Sequence, residues 1–413
     1  MENKLYPPVR FIVISDLHYY SKILGIEGKE FERYKDNDPK FLEKSEEVID
    51  QLLAEIKKEE ADFILIAGDL TKDGEKICHL KLLEKLQKLK DSGEKVFLIN
   101  GNHDILNKDA LSFSSSGVKK VETVNGKEFE EIYRDFGFQD AFEKDTDSLS
   151  YVVEPVNGLW VLALDSCLWK KQNPNKKPIT GGEISLKTLF WVEKILKKAS
   201  DEKKSVIVFT HHGLFEHYKG NKKYYPEFIL SNPEKLIQLF HSYQVSFVFT
   251  GHFHAQNIAV HQDEKGHEIF DIETGSPLTF PCPYRIVEIS PDSVFAVMTK
   301  TIQSIQSDPD WEETLFHFTL QRVYANADKT LKKFLVPLKD RKILSLAAAK
   351  AYLSHLEGSV NREKVEIPFK KLSLRGKAAA WMKKDLIEAW QESPFPDNNF
   401  FCYDLVSQKV IKS

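Results

Sequence analysis

Residues 206–215 read VIVFTHHGLF, an unbroken apolar run that ends in two adjacent histidines. The same grammar recurs at FIVISDLH (11–18), FILIAGD (63–69), VFLINGNHD (96–104) and FVFTGHFH (247–254). Each run of β-branched, Leu or Phe residues reads as a strand buried on both faces. Each is followed at once by Asp, Asn or His. Five strands are therefore expected to deliver polar side chains to one edge of an α/β fold, where open sheets gather their functional groups.

Between these runs the apolar period lengthens to that of a helix. KFLEKSEEVIDQLLAEIKK sets Phe41, Val48, Leu52 and Ile56 on one face, and HLKLLEKLQKLKDSGEKVFLIN does the same with Leu82, Leu83, Leu86 and Leu89, with Gly93 at the expected helix stop. The first hundred residues thus read β-α-β-α-β. Residues 19–38 read as a loop over the first strand end, and SFSSSG as an exposed loop within the polar stretch 105–147. Asn157-Gly158 marks a hairpin turn, and Leu186, Leu189, Phe190, Ile195 and Leu196 predict a helix over about 185–199. Two more hairpins follow, in NIAVHQDEKGHEIFDIE and RIVEISPDSVFAVMTKTI. From about residue 305 the chain turns to helix formers, which predicts a first domain over 1–303 and a helical C-terminal domain over 304–413.

Composition removes several function classes. The chain has 413 residues and a net charge of −4, with 58 Lys and Arg against 62 Asp and Glu, so no bulk charge calls for nucleic acid or an anionic membrane. Cys78, Cys167, Cys282 and Cys402 are scattered without CxxC spacing, which argues against a disulfide framework or a zinc ribbon. No stretch approaches the ~20 apolar residues of a membrane span. A soluble, cytoplasmic protein is expected.

The strand ends collect Asp16, His18, Asp69, Asn102, His103, Asp104, His211, His212, His252 and His254. Imidazole mixed with carboxylate and one amide suits Mn, Fe, Co or Zn and is too rich in nitrogen for calcium. Eight or more ligands imply two ions, divalent or of mixed valence. Cations ~3.5–4 Å apart need a shared anion, for which an aspartate in a tight Gly-Asp turn, Asp69, is the natural candidate.

The order D-x-H, G-D, G-N-H-D, H-H and G-H-x-H, spread over residues 10 to about 290, resembles the calcineurin-like metallophosphoesterases. That resemblance implies a four-layer α/β/β/α sandwich of two mixed sheets. It implies one metal on Asp16, His18 and His254 and a second on Asn102, His211 and His252, with Asp69 shared. It also implies that His103 sits by the substrate phosphate as charge stabiliser or general acid, oriented by Asp104. GDLTKDGE, LALDS, GGEIS…FWVEKIL and TGSP…YRIVEI look most like the class III cyclic-nucleotide phosphodiesterase branch, which includes glycerophosphodiesterases.

The expected activity is hydrolysis of a small phosphodiester, for example a 3′,5′-cyclic nucleotide, by a metal-bridging hydroxide in line with the leaving alkoxide. A phosphomonoesterase or a nuclease would use the same site. The balanced charge and the lack of a basic stripe argue against nucleic acid. A non-catalytic metal-binding scaffold would be expected to have lost ligands, and every position is occupied here. Tyr19, His212, His217 and Tyr218 are candidate substrate contacts, with aromatic rings available to stack on a base. Ordinary surface tyrosines beside lysines are the simpler alternative for that loop. Asp165 reads as structural, and Trp160 and Trp191 as core. The C-terminal helices, with Leu346 and SLAAAKAY as an apolar face, are expected to pack on the first domain and shape its pocket or a homo-oligomer.

Overall fold

The computed structural model describes residues 6–36, 38–115, 117–173, 176–359, 364–392 and 395–413. The strands, in chain order, are β1 (Val9–Ile14), β2 (Phe63–Ala67), β3 (Val96–Ile99), β4 (Leu111–Ser114), β5 (Gly117–Lys120), β6 (Glu143–Lys144), β7 (Tyr151–Val156) and β8 (Leu159–Leu164). They continue with β9 (Ser205–Thr210), β10 (Phe247–Thr250), β11 (Asn257–Gln262), β12 (Glu268–Glu273), β13 (Pro283–Ile289), β14 (Val294–Thr301), β15 (Phe400–Asp404) and β16 (Lys409–Lys412). The α-helices are α1 (Lys29–Lys35), α2 (Ser45–Lys57), α3 (Lys76–Asp91), α4 (Gly126–Ile132), α5 (Leu186–Asp201), α6 (Asn221–Tyr224), α7 (Glu234–Tyr243), α8 (Trp311–Lys333), α9 (Leu338–Glu357) and α10 (Leu374–Ala389).

Two mixed sheets result, in the orders β16-β15-β14-β13-β1-β2-β3 and β11-β12-β10-β9-β8-β7-β6, with β4-β5 as a separate ribbon. The expected parallel core is present: β1, β2 and β3 run together, as do β8, β9, β10 and β12. The predicted hairpins form the antiparallel pairs β7-β8, β11-β12 and β13-β14.

Alternation along the second sheet builds the layers. Val161, Ala163, Ile207, Phe209, Phe247 and Phe249 point into a core shared with the first sheet. Their neighbours Trp160, Leu162, Leu164, Val206, Val208 and Val248 pack instead against α5 and α7. Val48, Leu52, Ile56, Leu82 and Leu86, the stripes of α2 and α3, join the first core. The sheets meet through rings such as Phe11 on Phe249, 5.3 Å apart and edge to face, and Phe247 stacked on Phe295. Period-two burial on both faces of two sheets dictates an α/β/β/α sandwich.

Four features differ from the sequence reading. SFSSSG is not simply an exposed loop, because residues 112–114 lie in β4 and Gly117 in β5, with Phe113 buried. Residues 19–38 hold the short helix α1 rather than only loop, anchored by the buried ring of Phe31. Leu346 is 42% exposed, so the face it marks is not the one that packs inward. The region after 303 is helical through α8, α9 and α10, but it ends in two strands, and β15 pairs with β14 in the register Phe295↔Tyr403 and Val297↔Phe401. Aromatic side chains alternate along β15 with Phe401 and Tyr403 inward, the pattern of a strand with one buried face.

The helical region is fastened at both ends. At its start Trp311 is fully buried, and Phe41 packs against both Trp311 and Phe318 of α8. At its finish the buried Arg285 donates to the carbonyls of Glu273, Asn257 and Asn398, linking both sheets to the returning chain. Among the described residues no helix is long and apolar enough to cross a membrane.

Candidate metal centre

Each candidate site side chain leaves the carboxyl end of a strand: Asp16 and His18 after β1, Asp69 after β2, Asn102 and His103 after β3, His211 after β9, and His252 and His254 after β10. The chain has to turn at once there to aim these groups across the gap between the sheets. Five of the ligands pay a conformational cost for it, with φ of +53° at Asp16, +40° at His18, +49° at Asp69, +78° at His252 and +65° at His254. Left-handed backbone outside glycine costs of order 1 kcal/mol or more per residue and concentrates at functional sites. Two glycines make room. A Cβ on Gly101 would stand 2.1 Å from Asp69, and one on Gly251 would stand 2.4 Å from Asp16 Oδ2.

The two carboxylates are each half used. Asp16 Oδ2 accepts from the Ser15 hydroxyl and the His252 N–H, while Oδ1 is buried with no hydrogen-bond partner. Asp69 Oδ1 accepts from the His103 N–H at 2.9 Å. Its Oδ2 stands 3.5 Å from His18 Nε2 and 3.4 Å from His211 Nε2, central to both histidine groups. On one side Asp16 Oδ1 lies 3.3 Å from His254 Nε2, and His254 Nε2 lies 3.0 Å from His18 Nε2. On the other, His211 Nε2 lies 3.0 Å from Asn102 Oδ1.

These separations test the fit to metal. Atoms held ~2.0–2.2 Å from one ion stand roughly 3–3.5 Å from each other, which is the spacing seen. Asp16, His18 and His254 form one cluster of ligand atoms and Asp69, His211 and His252 another, with His18, Asp69 and His103 grouped between them. The far nitrogens are held as ligation requires: His211 Nδ1 binds the Ala67 carbonyl and His252 Nε2 that of Glu227, leaving His211 Nε2 and His252 Nδ1 for the centre.

The charges agree. Burial opposes ionisation of both carboxylates. His254 and His18 outweigh it at Asp16, and His211 and His103 at Asp69, so both lie well below the usual range. Burial takes His18 down to about 3 and His252 well below its ordinary value. Ionised carboxylates beside the neutral imidazoles of His18 and His252 are ligand forms, whereas at His211 burial is outweighed by Asp69 and Asp16, which raise it to about 9, so this imidazole would give up a proton on binding metal.

His103 is more exposed than any ligand, with 27% of its side chain open, and its Nε2 lies 3.9 Å from Asp69 Oδ2. The partner of its Nδ1 corrects the sequence reading. Asp73 Oδ1 lies 2.9 Å away, and Asp104 does not face this ring. Asp104 is fully buried and accepts from the N–H groups of Gly101, Leu70 and Thr71 and from the Thr71 hydroxyl, so it ties the β2 turn to the β3 turn. Burial works against a charged His103, but Asp69 and Asp73 prevail and leave it above its ordinary value.

Asp73 belongs to a buried chain of charges that sequence reasoning missed. Lys72 Nζ lies 2.8 Å from Asp73 and 3.2 Å from Asp38, and Lys40 Nζ lies 3.2 Å from Asp38. Lys40 and Lys72 are both nearly inaccessible, and the charge of Lys40 reaches His18. The motif GDLTKDGE contains Lys72 and Asp73, and two charges in the turn that carries a ligand were the available signal.

The four candidate substrate contacts sit among packed protein groups, and of their polar atoms the Tyr218 hydroxyl is buried without a hydrogen-bond partner. His212 forms its wall: it is buried against His211 and His252, with Nδ1 on the Ser166 hydroxyl and Nε2 on the Thr180 carbonyl, and burial drops it to about 3. Tyr19 is core, its hydroxyl donating to Glu46. His217 sits in a buried acid cluster, Nε2 3.2 Å from Asp271 and Nδ1 3.5 Å from Glu273. Tyr218 packs on Phe253, His355 and Trp390, where the C-terminal helices meet the first domain. Asp165 is structural, accepting from Asn100, Leu149, Cys167 and Trp169.

Residues 9–256, more than half of the chain, match the calcineurin-like phosphoesterase family. The chain is a member of that family. This calcineurin-like phosphoesterase matches no curated protein. Among solved structures it is similar in fold to a dimetal phosphatase from Danio rerio, at TM-score 0.52 and 15% identity over 71% of this chain and 97% of that one. A purple acid phosphatase from yellow lupin (Lupinus luteus) seeds aligns at TM-score 0.44 and 13% identity, over 72% of this chain and 52% of that one. The phosphoesterase is thus a hydrolase of the dinuclear metal type, with the donor set of two adjoining clusters.

Proposed function

We propose that the chain is a phosphodiesterase acting on a small diester. The observation that carries this reading is the pairing of the cations beside the centre. Lys40 and Lys72 are each engaged by Asp38 or Asp73, so they add no net positive charge for a second phosphate charge. A diester carries one negative charge where a monoester carries about two near neutral pH, and suits such a site better. A 3′,5′-cyclic nucleotide falls within this class.

Asp16, His18 and His254 would hold one ion and Asn102, His211 and His252 the other, with Asp69 available to both. When bound, two such ions polarise the phosphoryl oxygens and lower the pKa of water. The protein supplies the rest. Asp73 fixes the His103 ring through Nδ1, which turns Nε2 toward the centre, where it delivers a proton to the leaving oxygen. Asp104 and the two tight glycines keep the turns in register. The four cysteines, none of them bridged, support a reducing compartment such as the cytoplasm.

The test is hydrolysis of bis(p-nitrophenyl) phosphate against p-nitrophenyl phosphate after chelation and Mn²⁺ addition, for the unmodified chain and for Asn102→Ala and His103→Ala. Preference for the diester, lost in both variants, is the expected result. Preference for the monoester would replace the diesterase by a phosphatase.

A further inference from the structure

Beside the metal centre lies a cavity of about 420 Å³, walled on one side by the first domain and on the other by α8, α9 and α10. Its volume falls in the ~300–1,000 Å³ range of small-molecule sites and far exceeds the voids of a packed interior. The sequence explains why the helices leave this space. Where α9 and α10 face it, Ala348, Ala379 and Ala380, from the runs SLAAAKAY and KAAAW, stand among longer side chains such as Leu344, Tyr352 and Leu386 and leave room that a longer residue would fill.

The walls are hydrocarbon and aromatic except for Asn326, Thr330, Lys383, the tyrosine hydroxyls and the indole N–H of Trp390, which is buried without a hydrogen-bond partner. Two of them adjoin the chemistry. Phe228 packs on the ring of ligand His252, centroids 4.6 Å apart, and Phe253 stands between ligands His252 and His254 in the chain. Pro39 and Tyr225 complete this first-domain wall. A group in the cavity and a phosphate at the ligands would therefore be neighbours in one molecule.

We propose that this cavity receives an apolar group, an alkyl chain or hydrocarbon ring, borne by one alcohol of the phosphodiester, so that the substrate is amphiphilic. The proposal rests on the diesterase reading above. A nucleobase is the competing occupant, since the rings of Tyr225, Phe228 and Trp390 and the polar groups of the wall could meet it, but most of the lining is aliphatic, where a methylene is rewarded.

The experiment compares methyl, butyl and octyl 4-nitrophenyl phosphate as substrates of the full chain with Mn²⁺, and methylphosphonate with octylphosphonate as calorimetric ligands. The expected result is a rise in kcat/KM of about fourfold per buried methylene until the cavity is full, and tighter binding of octylphosphonate by at least ~30-fold. Ala348→Trp and Ala380→Phe, checked for fold by melting and for metal content, should collapse the octyl-to-methyl ratio. Cleavage of all three esters at equal kcat/KM, with equal phosphonate affinities, would overturn the proposal and leave the diesterase intact. A kcat/KM for 3′,5′-cyclic AMP above that of the octyl ester would overturn it in favour of a nucleotide. No cleavage of any ester, with octylphosphonate still preferred, would overturn the diester chemistry while supporting the apolar occupant.

Discussion

His103 Nδ1 lies 2.9 Å from Asp73 Oδ1, and this contact, not one with Asp104, orients the imidazole proposed as the acid. Asp73→Asn should therefore lower kcat by about ten- to a hundredfold with metal content unchanged, and His103→Ala by about 10²–10⁴-fold. The deficits should be larger for an alkyl leaving group than for nitrophenolate, which needs little protonation. Equal losses with both leaving groups would remove His103 from the role of acid.

Asp104→Ala should act on stability rather than on proton transfer. It strips the acceptor from three backbone N–H groups and one hydroxyl, all buried, at a cost of about 3 kcal/mol or more. A urea midpoint equal to that of the unmodified chain would refute this placement.

Metal analysis of the refolded chain should give about two ions per molecule, as the two donor clusters around Asp69 require. Asn102→Ala and His254→Ala should each lose one ion, and Asp69→Asn should retain fewer than either. Full occupancy in Asp69→Asn would show that the carboxylate is not shared.

Of the features above, those carried by local pattern could be read from the sequence and those carried by tertiary pairing could not. A buried strand and the ligand that follows it are consecutive residues, so the strand ends and their side chains were legible, as were the Asn157-Gly158 hairpin and the stripe of α5. Asp73 meets His103 across 30 positions. Nothing local distinguishes it from Asp104, which is merely nearer in the chain. Tyr19 and Tyr218 look like loop aromatics, and only packing decides that they are core and interface. β15 is five residues long in a stretch of helices, and its strand character comes from pairing with β14.

Alkaline pH should weaken the metal-free fold through the cluster behind β12. Burial is the main cause that raises Glu273 from 4.5 to about 8, His217 working against it and Asp271 with it. Its contribution to stability is full below the unfolded value and is lost as pH rises toward 8. His217 is raised from 6.5 to about 9, burial being outweighed by Asp271, so its contribution also drains as pH climbs through that range. The melting temperature should fall between pH 6 and pH 9.5, and by less in Glu273→Gln. Parallel curves for the two proteins would discount the Glu273 share.

Ending the chain at residue 303 should yield aggregates on size exclusion. The cut removes β15 and β16 and bares β14, along with Phe295, on which Phe401 packs. A monodisperse product with unchanged melting would show that the returning strands are dispensable.

Because β14 and β15 are adjacent, the chain leaves the sheet and re-enters it at neighbouring positions, and all three long C-terminal helices lie in that single excursion. Every candidate metal ligand precedes residue 255, while most of the cavity wall comes from the excursion. On the proposed function the molecule is a fixed reactor with an exchangeable cassette. Grafting a different helical segment between residues 302 and 399 would retarget it without altering a catalytic side chain.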